Sequence, residues 1–340
     1  MANRLTTFGN DLYTGKRSFN FVGGRKKWYA IAAVLIILSV LIPVVRGFNF
    51  GIEFRGGSQF VITGAQVAEQ QPAIDAVSEV APGAAPRVTI VGDDGVRVQT
   101  EQLEQAEARE LTTALAEAYG VDESEVTSSF VGASWGADVT RQAILGLLAF
   151  LLLAAIVMAL YFRTWKMSVA AILSLLGDLV VTAGIYAAVG FEITPAAMIG
   201  ILTILSYSLY DTVVVFDKIR ENTAEDGQES RRTFAESVNL AVNQTLVRSI
   251  NTSIVAALPV AAILFIGAGV LGADTLRDIS LALLIGIIVG TWSTVFIAAP
   301  LYSQLREGEP EIKRHEQKVL KERERAGGSS GSDVEAIPVA

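Results

Sequence analysis

Three charged residues lie in long apolar stretches of this 340-residue sequence. Asp178 stands midway in LSLLGDLVVTA, Asp211 lies in ILSYSLYDTVVVFDKIREN, and Arg248 lies in NQTLVRSINTSIVAAL. A charge at the centre of a transmembrane helix costs at least about 2.5–3.5 kcal/mol, so such residues mark functional sites. Burial favours the neutral form of a carboxyl group, whereas a nearby cation favours the carboxylate. We therefore predict that Asp211 binds and releases a proton as Arg248 moves relative to it.

Alternatives exist for each of these charges. Asp211 can instead make a structural hydrogen bond, Asp178 fits a structural role or a proton relay equally well, and Arg248 can snorkel to the membrane edge. Asp217, next to Lys218, is expected to form a salt bridge at the cytoplasmic end of its helix. The polar side chains near the charges predict a supporting shell: Ser206, Tyr210, Thr212, Asn251 and Thr252.

Composition excludes several classes of protein. The chain is 51% hydrophobic and 18% charged, and it contains no cysteine, so disulfide scaffolds, cysteine zinc sites and thiol enzymes are excluded. Its single histidine, His315, lies in a charged tail, and the net charge of −8 disfavours nucleic-acid binding. The glycine-rich segment 50–57 is not followed by Lys-Ser/Thr, as a phosphate-binding loop would be. We expect no cofactor, metal or nucleotide, and no enzymatic activity.

The apolar residues form six long runs. Each run has at least 18 residues, about enough for a helix to cross a hydrocarbon core of about 30 Å. They cover residues 28–45, 143–162, 167–189, 195–216, 250–271 and 279–301. The sequence therefore predicts a polytopic α-helical membrane protein with one transmembrane helix, an intervening domain and five further helices.

Basic residues predict the orientation of these helices. Residues 1–27 contain six basic residues and one acid, whereas residues 46–140 contain five basic and fifteen acidic residues. Since lysine and arginine accumulate on the cytoplasmic side, we expect both termini in the cytoplasm and residues 46–140 outside. The first run follows a basic segment and could be a signal peptide, but it is long and no A-x-A site follows, so we expect an uncleaved anchor.

Residues 46–140 have the pattern of a small α+β domain. Strands are predicted at 57–63, 87–91, 96–100 and 125–131, and helices at 66–80 and 101–119. A Gly-Asp-Asp-Gly turn joins the two middle strands, and Gly120 ends the second helix. The resulting β-α-β-β-α-β order is ferredoxin-like.

The remaining segments complete the layout. Gly286 and Gly290 predict close helix packing in the last span, although glycine is common in membrane helices. Beyond residue 306 the chain is charged and is expected to be helical to residue 325, and residues 326–340 are expected to be disordered. The predicted divisions are 1–27, 28–45, 46–140, 141–305 and 306–340: cytoplasmic segment, first helix, extracytoplasmic domain, five-helix bundle and cytoplasmic tail.

Three motifs resemble the SecF branch of the SecD/SecF family, within the resistance-nodulation-division superfamily. They are SYSLYDTVVVFDKIREN at 206–222, FGIEFRGG at 50–57 and NQTLVRSINTS at 243–253. The sequence departs from the family pattern at Tyr210, where asparagine is frequent, and at Ala133, where the family has proline, so the domain hinge differs. Gly177 stands where the family has the histidine that precedes Asp178.

The resemblance implies a function. It implies an auxiliary subunit of the Sec translocase in the plasma membrane that pairs with SecD and assists the SecYEG channel. Such a subunit uses the proton-motive force to promote late preprotein translocation, with Asp211 as the essential aspartate and Arg248 as the functional arginine. Two alternatives stay open: a proton-driven exporter of small molecules or lipids, and a passive scaffold of the export channel.

Overall fold

Six helices in the described part of the chain are long and apolar enough to cross a membrane, as predicted. The computed structural model describes residues 2–65, 67–91, 94–225, 232–268 and 274–329. The six spans are Arg25–Arg46, Ala133–Phe162, Trp165–Val189, Pro195–Thr223, Phe234–Ile266 and Thr275–Glu307. A 12-residue helix, α1 (Ala2–Tyr13), precedes the first of them.

Three of these spans are helices α2 (Arg25–Arg46), α6 (Ala133–Phe162) and α7 (Trp165–Val189). The others contain α8 (Pro195–Glu225), α9 (Phe234–Ala262) and α10 (Asp274–Ser293). Short π-helical segments follow α9 at Ile263–Ala268 and α10 at Thr294–Ala298. After the second of these come α11 (Ala299–Glu307) and α12 (Pro310–Ser329).

Two spans begin at least ten residues earlier than the sequence predicts. Helix α6 starts ten residues before position 143, and α9 starts sixteen residues before position 250. The early part of α9 is polar, but Asn243, Thr245 and Ser249 are buried inside the protein, where their side chains form hydrogen bonds. A hydropathy pattern misses such a segment because its polar residues face protein and not lipid.

The predicted α+β domain is present in the predicted order. Its elements are β2 (Gly57–Ile62), α4 (Gln71–Val80), β3 (Arg87–Val91), β4 (Gly95–Thr100), α5 (Gln105–Tyr119) and β5 (Val126–Val131), with α3 (Ile52–Arg55) before them. The antiparallel sheet has the order β3-β4-β2-β5. Helices α4 and α5 cover one face around a core that includes Phe60, Val98 and Leu111. The ferredoxin-like prediction is confirmed.

Details of this domain differ from the predictions. Helix α4 begins at Gln71, after the predicted start at position 66, because Pro72 is suited to the first helical turn and not to a helix interior. Position 66 and positions 92 and 93 of the predicted Gly-Asp-Asp-Gly turn lie outside the described residues. Gly120 ends α5 in the left-handed conformation, as expected.

The α+β domain is joined to the membrane helices by close backbone contacts. Strand β1 (Asn49–Phe50) pairs in parallel with β6 (Glu192–Ile193), which lies between α7 and α8. Gly56 has a φ of +78°, and a Cβ there would lie 2.8 Å from the Cα of Ala133 in α6. A Cβ on Gly136 would lie 2.8 Å from the carbonyl oxygen of Phe54. The glycines thus let α3 pack directly on the start of α6.

Helices α8 and α10 pack closely through the predicted glycines. Gly286 lies against Ile204, and a Cβ on Gly290 would be 2.8 Å from the Oγ of Ser208. A side chain at either position would force the helices apart, so the two glycines set the separation of α8 and α10.

The end of the bundle opposite the α+β domain is closed by the two terminal segments. The side chains of Asn239 and Asn243 hold the backbone of residues 19–22, with Asn243 Oδ1 accepting from the amide of Phe19 at 2.7 Å. Arg323 of α12 donates two hydrogen bonds to Glu236 of α9. Helix α12 runs to Ser329, so four residues that were expected to be disordered are helical, because helix ends vary by a few residues. Residues 330–340 lie outside the described residues.

Candidate functional site

Asp178 is held in the bundle interior by a serine of the neighbouring helix. Its side chain lies near the middle of α7 with only 4% of its surface exposed. Ser208 Oγ, on α8, donates a hydrogen bond of 2.7 Å to Asp178 Oδ2. Within the described residues Asp178 Oδ1 has no hydrogen-bond partner, and neither does the hydroxyl of Ser174 one turn away. The carboxyl group therefore retains one oxygen that can take a proton.

Asp211, on α8 one turn after Ser208, is held in a similar way. It is 5% exposed, and Ser249 Oγ on α9 donates a hydrogen bond of 2.8 Å to its Oδ1. Asp211 Oδ2 is buried without a partner among the residues described. An unpartnered buried carboxylate oxygen is costly, whereas a protonated carboxyl group is tolerated in the same place. This site therefore suits a carboxyl group that alternately binds and releases a proton.

Hydroxyl groups continue from these carboxyl groups into the neighbouring helices. Thr212, next to Asp211, shares a hydrogen bond of 3.0 Å with Thr294 of the second π-helical segment. Ser253 of α9 and Thr291 of α10 share another of 2.6 Å. Because a hydroxyl group both donates and accepts, these pairs can pass protons or reorient with the charge state of their neighbours.

A cavity of about 350 Å³ lies between α2, α7 and α10 beside Asp178. Its walls are mostly apolar, and its polar lining consists of Asp178, Ser174 and Ser293. Asp178 thus borders an opening between helices and is not enclosed by packed side chains alone. The described part of the chain contains no group of three or more His, Cys, Asp or Glu side chains that could hold a metal ion.

Arg248 is exposed and lies in the middle of α9, not at the start of a span as predicted. It directly precedes Ser249, the serine that bonds Asp211, so it lies at about the depth of that carboxyl group. Within the described residues no salt bridge of 4 Å or less joins Arg248 to Asp211. The start predicted for this span at position 250 was wrong, because the polar residues before it belong to the buried start of α9.

The predicted polar shell is divided by the fold. Thr212 is buried beside Asp211, whereas Tyr210 is 53% exposed, and Ser206 and Asn251 are also exposed. Thr252 bonds backbone carbonyl groups of its own helix. Ser249 and Ser293 were not among the predicted site residues. Ser249 bonds Asp211, and Ser293 lines the same cavity as Asp178.

Exposed polar side chains, some of them from the predicted shell, lie on one face of α8 and one face of α9 on the outside of the bundle. On α8 they are Thr203, Ser206 and Tyr210, and on α9 they are Arg248 and Asn251. These positions recur at intervals of three to four residues, so each set lies on one face of its helix. At this depth in a membrane, polar and charged side chains normally face protein or water. We call this surface the polar stripe.

Asp217 lies outside the site. It is exposed near the end of α8, where the described salt bridge joins Lys218 to Glu221 at 2.5 Å. The expected salt bridge of Asp217 therefore does not occur in the part of the chain that the structure describes. This residue provides a carboxyl group on the same helix as Asp211 but without its burial.

Comparison with known proteins gives one consistent family. Residues 111–308 match the family described as "Protein export membrane protein SecD/SecF, C-terminal", and residues 42–66 match the "SecD/SecF GG Motif". The protein translocase subunit SecF of Streptomyces coelicolor is 41% identical over 334 residues, which cover 98% of this chain and 89% of the relative. SecF of Mycobacterium tuberculosis is also 41% identical, over 96% of this chain and 76% of its own length.

A solved structure has a similar fold. The crystal structure of SecDF from Thermus thermophilus, described as a translocon-associated membrane protein, matches with a TM-score of 0.73 at 30% identity. The match covers 86% of this chain and 39% of the SecDF chain. The relative therefore carries additional sequence beyond the part that this chain resembles.

Proposed function

The chain belongs to the SecD/SecF family of protein-export membrane proteins, and on that premise we propose that it is a proton-driven auxiliary subunit of the Sec preprotein translocase. It is a multi-pass membrane protein, and its family works in protein export. Its role is to couple the proton-motive force to late steps of translocation through the SecYEG channel. The subunit itself catalyses no covalent reaction.

The observation that carries this proposal is the buried carboxyl group of Asp211, one oxygen of which has no partner among the described residues, bonded to the serine that follows the exposed Arg248. Protonation removes the charge of Asp211, and loss of the proton restores a carboxylate that attracts Arg248. One elementary charge that crosses 100 mV supplies about 2.3 kcal/mol, which shifts a conformational equilibrium about fiftyfold. Asp178 is a second buried carboxyl group, at the interface of α7 and α8, where Ser208 of α8 donates to it.

The polar stripe supports a SecD-type partner. A guanidinium and a phenol group exposed to lipid at this depth are unfavourable, so a second helical bundle that covers α8 and α9 would satisfy them. In the Thermus relative a chain of this kind is part of a larger SecDF chain, which is consistent with such a bundle. The substrate of the assembly is an unfolded preprotein that leaves the channel.

The proposed orientation follows the distribution of basic residues. The terminal helices α1 and α12 lie in the cytoplasm, and the acidic α+β domain lies outside, where the preprotein emerges. The described structure is compatible with this placement, because α1 and α12 lie at the end of the bundle opposite the α+β domain.

The experiment compares Asp211→Asn with Asp217→Asn in proteoliposomes that contain the channel, its motor and a SecD-type partner. With an imposed proton gradient, Asp211→Asn is expected to lose the gradient-dependent increase in export, whereas Asp217→Asn keeps it because that carboxylate is exposed. Both variants should still assemble with the partner. Full gradient stimulation in Asp211→Asn would refute the proton-driven mechanism and favour a passive scaffold. Gradient-driven efflux of a small molecule without effect on export would favour an exporter.

A further inference from the structure

The loop between α7 and α8 is fastened to the α+β domain by a buried charge pair. Glu192, in β6, forms a salt bridge of 2.5 Å with Arg97 of β4, and each side chain is only 11% exposed. Gln99, two residues along the same strand, also donates to Glu192 and donates a hydrogen bond of 2.9 Å to Gln59 of β2. The central strands of the sheet therefore bond directly to this loop.

The same loop is held from the membrane side. Thr194 Oγ1 donates a hydrogen bond of 2.7 Å to Asp278 Oδ2, near the start of α10. Tyr186 near the end of α7 donates to the backbone carbonyl group of Asp278 at 3.4 Å. The loop thus connects the sheet, α7 and α10 through side chains.

Helix α8 begins directly after this loop, at Pro195. Asp211 lies sixteen residues further along the same unbroken helix, about 24 Å at 1.5 Å per residue. A helix of this length transmits axial movement and rotation between its ends. Any displacement of α8 that follows protonation is therefore delivered to Glu192.

The chemistry of the pair favours such a role over simple stabilisation. Replacing a buried ion pair with apolar residues is often neutral or stabilising, so stability alone is a weak reason for its presence. Paired and hydrogen-bonded in one geometry, however, Glu192 and Arg97 fix how the sheet sits on the loop. Gly56 against Ala133 attaches the domain to α6, and the pairing of β1 with β6 reaches the same loop from the segment before the sheet, whereas Arg97 and Gln99 bond it from the sheet itself.

We propose that Glu192 and Arg97 are positioning residues that transmit movement of α8 to the α+β domain. This inference rests on the proposed proton-driven function for its purpose, but the connection itself can be tested separately. Because the chain contains no cysteine, pairs of cysteines can be introduced for spin labels or for a disulfide without a background.

The first test measures the connection without reference to export. Spin labels are placed at the exposed positions Glu110 on α5 and Ile199 on α8, and their distance distribution is recorded by electron paramagnetic resonance. Arg97→Met is expected to broaden or shift this distribution, because it removes one partner of the buried pair. Arg109→Met, an exposed arginine of the same domain, should leave it unchanged. An unchanged distribution in Arg97→Met would overturn the proposal.

The second test asks whether the connection transmits work. Arg97→Met should lose the gradient-dependent increase in export while it still assembles with the partner. A disulfide between Phe50→Cys and Ile193→Cys, which are directly paired in β1 and β6, should restore at least half of the lost stimulation when oxidised and none when reduced. Glu192→Gln, which keeps the side-chain shape, serves if Arg97→Met does not accumulate, and the same loss is expected.

The outcomes separate the two proposals. Two results would overturn transmission through this pair. One is a full gradient-dependent increase in export in both Arg97→Met and Glu192→Gln. The other is a loss of that increase that the oxidised disulfide does not relieve. Absence of gradient stimulation in the wild-type protein would instead refute the proposed function. In that case the distance measurement still decides whether the pair holds the domain on α8.

Discussion

Gly290→Ala is expected to destabilise the protein by pushing α8 away from α10. A Cβ at position 290 would lie 2.8 Å from the Oγ and 2.9 Å from the Cβ of Ser208, closer than real Cβ atoms approach other heavy atoms. The helices must therefore shift, and the shift displaces the hydroxyl group that donates to Asp178.

The magnitude follows from these two effects. Forcing an extra carbon into a close-packed interface costs about 1–3 kcal/mol. Loss of the hydrogen bond to Asp178 adds about 1.5–3 kcal/mol if the carboxyl group is charged, since its other oxygen has no partner among the described residues. Partial relaxation of the two helices makes the total smaller than the sum of the two effects, so we expect a decrease of about 2–5 kcal/mol in the free energy of unfolding.

The matched control is Gly177→Ala. Gly177 is also helical and precedes Asp178 directly, but a Cβ there would meet nothing within 4 Å. Alanine favours a helix over glycine by up to about 1 kcal/mol, so this variant should be unchanged or slightly more stable. Unfolding is followed by tryptophan fluorescence as sodium dodecyl sulfate is added to protein in mild detergent micelles. Equal unfolding free energies for the two variants would refute the packing argument.

Three further predictions concern single side chains. Burial raises the pKa of Glu53, so ionisation opposes folding as pH rises through that pKa, and Glu53→Gln should stabilise the protein at pH 7. A hydrogen bond from Arg306 lowers the pKa of Glu309 below its ordinary value of 4.5. The ionised carboxylate therefore stabilises the folded protein above pH 4.5, and this stabilisation is lost as pH falls through the lowered pKa. Glu309→Gln should therefore lower thermal stability at pH 7, by less than about 1 kcal/mol because the pair is partly exposed. Ser249→Ala removes the hydroxyl group that bonds Asp211 and should reduce gradient-stimulated export severalfold.

Each of these has a control. The stabilisation by Glu53→Gln should disappear at pH 4, and an equal gain at both pH values would contradict its electrostatic origin. The loss in Glu309→Gln should shrink progressively as pH falls below 4.5 in a thermal denaturation series, and a loss that does not change with pH would contradict its electrostatic origin. For export, Ser78→Ala removes an exposed hydroxyl group of α4 that bonds only its own helix among the described contacts. If it impairs export as much as Ser249→Ala, the bond to Asp211 is not the cause.

The sequence predicts the main features of the fold because they depend on local patterns. Six apolar runs of membrane-spanning length and a β-α-β-β-α-β alternation suffice for the spans and for the domain. It fails where a boundary depends on tertiary contacts. The polar start of α9 carries a local signal, the capping box of Thr233 and Glu236, which hydropathy alone does not use. Its burial depends on Asn239 and Asn243, which bond the backbone of residues 19–22, and no local pattern shows those contacts.

The candidate site shows the same limit. The charges Asp178, Asp211 and Arg248 stand out in the sequence because charge is costly in apolar surroundings. Their partners do not, since the serine that bonds each carboxyl group is decided by how neighbouring helices are rotated. Ser249 bonds Asp211 although Tyr210 is nearer in sequence, because Tyr210 faces outward. Likewise, two-residue strands such as β1 and β6 are too short to carry a periodic signal.

The polar stripe has a consequence for how a cell makes this protein. In the proposed assembly, a copy inserted without its partner would leave the guanidinium of Arg248 uncovered on the outside of the bundle, which is costly in lipid, so surplus copies would be poorly accommodated in the bilayer. Balanced synthesis of the two halves avoids this surplus, and a genetic fusion, as in the Thermus relative of which this chain spans 38%, fixes the ratio at one to one.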